Sequence, residues 1–301
     1  MNNLLTNENK LQLQRKNYGP PKNHTDEPSS AFPLEYYEFF LQEIVRLGIK
    51  VITFKDIFKD CDDWDYRNNY PREYKRWAKK AIGSDTYLVI QHDVDNHPFF
   101  TERMIALEAT YGIRSNIFIF CDRYKKGSPD PDYIIDYEYL LDAQKAGFVI
   151  GYHQNALAMA SFDMEKAVQK YREDIRKLRG IYDIDFVVPH GGVGTVIEGK
   201  NVFNVDVPMP SEFEGNLRWV YNRYGVRFDR KWSDGGLRKA RDIDRIRGFD
   251  LVGEFLHKLK PGTRNFCLVH PQRWGYNVDT EQNPLLAKED WYRAICTRNE
   301  T

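Results

Sequence analysis

From Tyr87 onward, apolar runs of strand length alternate with stretches of helical spacing. YLVIQH (87–92) precedes a helix predicted around Phe99 to Tyr111, and SNIFIFC (115–121) one around Tyr133 to Ala146. FVIGYH (148–153) precedes a long helix with Val168, Tyr171, Ile175 and Leu178 on one face, and DFVVPH (185–190) follows it. Such alternation predicts parallel β-α units, whose crossovers place every strand's C-terminal end on the same rim. Upstream, Leu34, Tyr37, Leu41, Ile44 and Val45 recur at three and four residues and predict an amphipathic helix, with Lys50 to Phe54 as a short strand after it. The expected fold class is α/β, a parallel barrel or a doubly wound sheet.

The polar segment 1–31, with Pro20-Pro21 and Ser29-Ser30, reads as a flexible N-terminal arm before a single domain over 32–301. Within that domain Cys61 to Lys80, rich in Asp, Arg, Tyr and Trp, reads as an irregular surface excursion without chemistry. At 301 residues the chain is long enough to bury a sizeable core. Lys+Arg and Asp+Glu both count 44 and no basic run stands out, so nucleic acid is not an expected partner. The four cysteines (Cys61, Cys121, Cys267, Cys296) lie far apart, which argues against a disulfide framework or a thiolate zinc knot. No stretch approaches the roughly 18 apolar residues of a membrane span, and the N-terminus lacks an apolar signal core, so a cytoplasmic location is expected.

The chemistry concentrates at the ends of the apolar runs. Tyr87 to Asn96, YLVIQHDVDN, ends in Asp93 and Asp95 bracketed by His92 and His97. Carboxylates and imidazoles at one strand end suit a divalent metal, although a strand followed by a solvated polar turn has the same pattern. Four of the seven histidines (His92, His153, His190, His270) each close an apolar run. A single such histidine is usually structural; in a parallel barrel, successive strand ends converge, and Asp93, Asp95, His153, His190 and His270 can share one pocket.

HDVD after a strand, then GFVIGYH, VPHGG and LVHPQRW, in that order, resembles the polysaccharide deacetylase superfamily with its NodB-like distorted (β/α) barrel. The likeness is greatest to its HDVD-bearing branch, found among surface-polysaccharide and O-antigen biosynthesis genes, and it spans roughly Tyr87 to Gly275. The resemblance implies one divalent ion, zinc above all, with nickel or cobalt as alternatives. It implies Asp93 as general base, Asp95 and His153 as ligands, and His270 as general acid. It places an oxyanion-binding backbone N–H near His190 and Gly191.

Departures from the family pattern shape the remaining expectations. The second motif's further histidine is Leu157 here, so a third ligand must come from elsewhere. His190 is the first candidate, with a hydrogen bond to Asp93 as its structural alternative; His97 and Asn155 follow. The arginine that orients the base in the family is Val187 here. In FDRKWSDGG, Trp232 and Asp234 stand where the family keeps an Asp and a Trp supporting the catalytic histidine, though a turn with a structural tryptophan fits equally. Trp274 can line a sugar-binding face or sit in the core.

Three functions follow. The first is a metal-dependent deacetylase acting on an N-acyl, or O-acyl, group of a sugar, nucleotide sugar or oligosaccharide in surface-polysaccharide assembly. The second is a degenerate member that binds a glycan without hydrolysing it. The third is a metal-dependent phosphodiesterase, which would hold two ions about 3.5–4 Å apart.

Overall fold

In a computed structural model of the chain the described residues are 32–59, 84–125, 128–131, 133–191, 194–197, 199–220, 228–235 and 250–275. The predicted arm 1–31, the excursion at 61–80, Cys61 and Cys296 lie outside them. The chain runs β1 (Phe32–Pro33), α1 (Leu34–Arg46), β2 (Lys50–Val51), α2 (Phe54–Phe58), β3 (Tyr87–Val94), α3 (Phe99–Thr110) and β4 (Asn116–Ile119). A hairpin, β5 (Tyr124–Lys125) and β6 (Ser128–Pro129), leads to α4 (Tyr137–Lys145), β7 (Val149–Gln154), α5 (Ala156–Met159), α6 (Met164–Arg179) and β8 (Phe186–Pro189). A second hairpin, β9 (Gly194–Ile197) and β10 (Lys200–Phe203), precedes β11 (Arg218–Trp219), β12 (Arg230–Ser233), β13 (Arg264–Val269) and β14 (Trp274–Gly275).

The main sheet has eight strands in the order β11-β8-β7-β4-β3-β13-β12, with β2 also on β3. Every pairing in it is parallel, and the sheet curls into a half-barrel. The expected α/β class with a common C-terminal rim is what forms. Alternation then divides the side chains. Val89, Phe118, Val149, Phe186, Val188, Phe266 and Leu268 fill the inner face with Phe54, Ile57 and Phe58 of α2. Leu88, Ile90, Cys267 and Val269 face α1, while Ile117, Ile119, Ile150, Tyr152 and Val187 pack with α4 and α6.

Local chemistry moves two expected boundaries. The strand predicted over 50–54 stops at Val51, because Thr53 and Asp56 form a capping box that starts α2. The Phe54 N–H donates to Asn116 Oδ1 (2.8 Å) and Arg218 to the Phe58 carbonyl (3.3 Å). Asn116 and Arg218 are the first residues of β4 and β11, so α2 closes the N-terminal end of the half-barrel. The helix predicted from Tyr133 starts at Tyr137, capped by the Asp136 carboxylate on Tyr139 N–H (2.9 Å). On α6 the buried face carries Ala167, Tyr171, Asp174, Ile175 and Leu178. No helix among the described residues is long and apolar enough to cross a membrane.

Candidate active site

With α2 closing one end, where Asn116 and Arg218 bond to its backbone, a second set of polar side chains gathers at the other end of the inner face. The inward-facing positions beyond the apolar layer are Gln91 and Asp93 on β3, His153 on β7, and Phe120, His190 and His270 just past β4, β8 and β13. Five groups from four chain-distant strand ends, Asp95 among them, thereby meet. Asp95 Oδ1 lies 3.2 Å from His153 Nε2 and 3.6 Å from His190 Nε2, and its Oδ2 lies 3.7 Å from His270 Nε2. Asp93 Oδ2 is 3.8 Å from His153 Nε2.

Asp95, His153 and His190 fit a divalent cation by their chemistry. Their ligand atoms all lie within 4.8 Å of one another. Ligands 2.0–2.1 Å from a tetrahedral zinc are about 3.3 Å apart, and the 3.2 and 3.6 Å separations bracket that edge. His153 Nδ1 faces the Val188 carbonyl at 3.3 Å, the outer contact that leaves Nε2 for a metal.

Charge and burial set the five groups apart. Burial raises the pKa of Asp93 against the pull of His153 and His270, with Asp95 adding to the rise, so its carboxylate is more basic than usual. Asp95 moves the other way: burial opposes ionisation, but the His153 bond and the surrounding imidazoles hold it well below the carboxylate range. Burial, then the charge of His153, lowers His190 to about 4, leaving a neutral imidazole. Burial disfavours charge on His153, yet Asp93 and Asp95 outweigh it and raise that group. His270 reaches about 9, because the Asp234 charge and hydrogen bond overcome the cost of burial.

Asp234 sits beside His270, where the sequence resemblance placed a supporting carboxylate, with Oδ1 2.5 Å from Nδ1. Trp232 and Trp274 take other places. Trp274 is fully buried, stacks on Phe32 (4.5 Å between ring centroids) and donates its indole N–H to Asp234 Oδ2 (3.1 Å). Its expected role on a sugar-binding face is thereby corrected: the ring has no surface left to offer a pyranose. Trp232 is likewise buried among Phe32 and Trp274. The His190 N–H donates to the Gln154 carbonyl (2.7 Å), which removes it as an oxyanion donor and leaves the exposed Gly191 in that segment.

Strand parity explains His92 and Val187. His92 faces outward, fully buried, with Nε2 2.8 Å from Glu108 Oε1. Val187 and Leu157 also belong to the outer core, so neither replaces the family's polar residue in the pocket. His97, in a positive-φ turn, packs on Phe100 and does not join the three-ligand group, while Asn155 donates its Nδ2 to the Asp122 carbonyl (3.4 Å).

Sequence reasoning missed four residues that shape the pocket. Gln91 Nε2 donates to Asp93 Oδ1 (2.7 Å), and Arg123 Nη1 to the Asp95 carbonyl (2.5 Å). Phe120 stacks on His153, and Asn204 donates to the His190 carbonyl (3.2 Å). Gln91 and Phe120 were within reach of parity, two residues from Asp93 and Phe118; Arg123 and Asn204 carry no such signal. A second group with ligand-like spacing, Cys121, Asp122 and Asp174, is already neutralised. Lys170 bridges Asp122 (2.8 Å) and Asp174 (2.6 Å), and Lys177 reaches Asp122 (2.7 Å).

No family model, curated protein or solved structure matches the chain. The functional reading therefore rests on this geometry and the sequence motifs.

Proposed function

We propose that the chain is a metal-dependent sugar deacetylase, in a NodB-type distorted barrel, removing an acyl group from a sugar during cytoplasmic assembly of a surface polysaccharide. The observation that carries this reading is the pairing of a base and an acid around the ligand group. Asp93 lies 3.8 Å from His153, and His270 lies 3.7 Å from Asp95.

Amide hydrolysis needs an activated water, a partner for the developing oxyanion and a proton for the departing amine. Asp95, His153 and His190 would hold the ion, which when bound would supply Lewis-acid activation of a water and of the acyl carbonyl. Asp93, with its raised pKa, takes the water's proton while Gln91 Nε2 fixes the carboxylate from behind. In the metal-free chain Asp234 and the nearby carboxylates favour the imidazolium form of His270, and because Asp234 holds Nδ1 its Nε2 faces the site, where it would protonate the leaving nitrogen. Gly191 is the backbone donor assigned to the oxyanion.

A second reading, a glycan-binding member without turnover, draws on Leu157 and Val187, which stand where the family has its histidine and arginine. His190 supplies an imidazole in place of the missing one and Gln91 a neutral hydrogen-bond donor to Asp93, so hydrolysis is favoured. A phosphodiesterase needs a second ion site, and among the described residues only one three-ligand group faces the inner rim.

Elemental analysis with an acetate-release assay tests the proposal. The reading expects about one zinc, nickel or cobalt per chain, lost in Asp95→Ala and His153→Ala. It also expects metal-dependent acetate release from N-acetylated nucleotide sugars or oligosaccharides. Bound metal without release from any acylated sugar would transfer the assignment to glycan binding; absence of bound metal after reconstitution would remove the hydrolase.

A further inference from the structure

We infer that Phe120 is the positioning residue of the metal group, its buried ring fixing the His153 and His190 imidazoles at the separation one ion needs. The inference rests on the metal-site reading above. Phe120 lies flat on His153, with centroids 4.9 Å apart and planes 5° from parallel. It meets His190 edge-on at 5.1 Å and 76°, and the two imidazoles meet each other at 5.2 Å and 76°. The three rings thus contact one another pairwise in a closed triangle.

A fixed neighbour matters because the histidine ring torsion is broad and roughly two-fold, so rotamer preference alone does not aim a ring nitrogen. His153 has a second restraint in the Val188 carbonyl. His190 has none of that kind: among the described residues no hydrogen bond reaches its Nδ1, so its ring plane is set by packing and by the Asp95 contact at Nε2 (3.6 Å). Phe120 can serve as a rigid post because it is itself held. Its N–H donates to Tyr133 Oη (2.8 Å), and that hydroxyl donates to the Val94 carbonyl (3.0 Å), which ties the post to the strand bearing Asp93. Only 2% of Phe120 is exposed, so the ring supplies orientation and offers a substrate almost no surface.

The test compares Phe120→Leu with Phe118→Leu. Phe118 lies one pleat deeper on the same inner face and packs on Phe54 and beside Gly151 rather than on the histidines. Zinc affinity is measured by chelator competition, cobalt geometry by visible absorption, and folding by circular dichroism. Phe120→Leu is expected to weaken zinc binding about 10–100-fold, the range found when residues behind a metal ligand are lost, and to reduce the tetrahedral cobalt bands. Phe118→Leu is expected to lower the melting temperature while leaving zinc affinity within about threefold of wild type. Equal zinc affinity in wild type and folded Phe120→Leu would overturn the inference while leaving the metal site standing. A wild-type chain that binds neither ion would overturn the metal reading itself. Should Phe120→Leu not fold, Phe120→Met, which keeps volume without a flat face, carries the same expectation and the same refutation.

Discussion

Asp234 grips His270 at two points: Oδ1 faces ring Nδ1 at 2.5 Å, and Oδ2 accepts the His270 main-chain N–H at 2.7 Å. The first contact makes Nδ1 the proton-bearing nitrogen of the pair and sends Nε2 toward Asp95; the second prevents the ring from retreating with its backbone. The Trp274 indole N–H (3.1 Å) anchors the carboxylate in turn, and Arg273 holds the Asp234 main chain by donating to its carbonyl.

Replacing Asp234 with Asn keeps the shape and removes the charge. In the metal-free chain, NMR titration of His270 is expected to show its pKa falling from about 9 toward the ordinary 6.5. The sign for stability follows from the raised value. The contribution of charged His270 is complete below pH 6.5 and disappears as pH rises through about 9, so the wild-type advantage over Asp234→Asn shrinks across that interval. Turnover should drop on the order of a hundredfold, as for loss of a general acid. An unmoved His270 titration in the variant would show that Asp234 does not set its charge.

His190 and Leu157 separate ligand from core. His190→Ala removes one of three ligands, and zinc affinity should fall by at least about a hundredfold with little change in melting temperature. Leu157→Ala should do the reverse. That side chain is fully buried in the outer core, so its truncation costs about 2–5 kcal/mol in denaturant unfolding and leaves zinc affinity unchanged. Retained zinc affinity in His190→Ala would return the third-ligand position to another residue.

The outward histidine of the HDVD segment has a separate consequence. Glu108 is buried on α3 and receives Tyr37 Oη (2.5 Å), Ser115 Oγ (2.6 Å) and a contact from His92 Nε2 (2.8 Å). Glu108→Ala strands three buried polar groups, each costing about 1–3 kcal/mol, and should lower stability by several kcal/mol. Metal affinity of the variant that still folds should stay within a few-fold, because the network lies on the face of β3 opposite Asp93.

Much of this arrangement was legible in the chain, and the limits have physical causes. Apolar runs and helical spacing identified the parallel units, and the ends of those runs named Asp93, Asp95, His153, His190 and His270. Parity along a strand decides which side chain faces the pocket, and this separates Asp93 from its neighbour His92. Trp274 was ambiguous because an aromatic ring serves a core or a sugar equally well, and only its contacts with Phe32 and Asp234 settle its place. The short strand at 50–54 was overextended because a two-residue capping box outweighed the β-branched run before it. Asn204 was invisible because its tie to His190 spans a hairpin, a contact with no local pattern.

Gly151, two residues before His153 on the same face of β7, tests how tightly the layer beneath the pocket is packed. A Cβ there would lie 2.4 Å from the Phe118 ring and 3.0 Å from the Phe186 carbonyl. Both distances are too short, so Gly151→Ala must push the ring or the neighbouring strand aside. Overpacking of this kind costs about 1–3 kcal/mol, readable in denaturant unfolding. If the ring is the principal obstacle, Phe118→Leu should relieve it, and Gly151→Ala with Phe118→Leu should be less destabilised than the sum of the single variants. Strict additivity would instead assign the strain to the Phe186 carbonyl, which no side-chain truncation can remove. In that case Gly151→Ala should also shift β7 against β8, and zinc affinity should fall with stability because those strands bring His153 and His190 together.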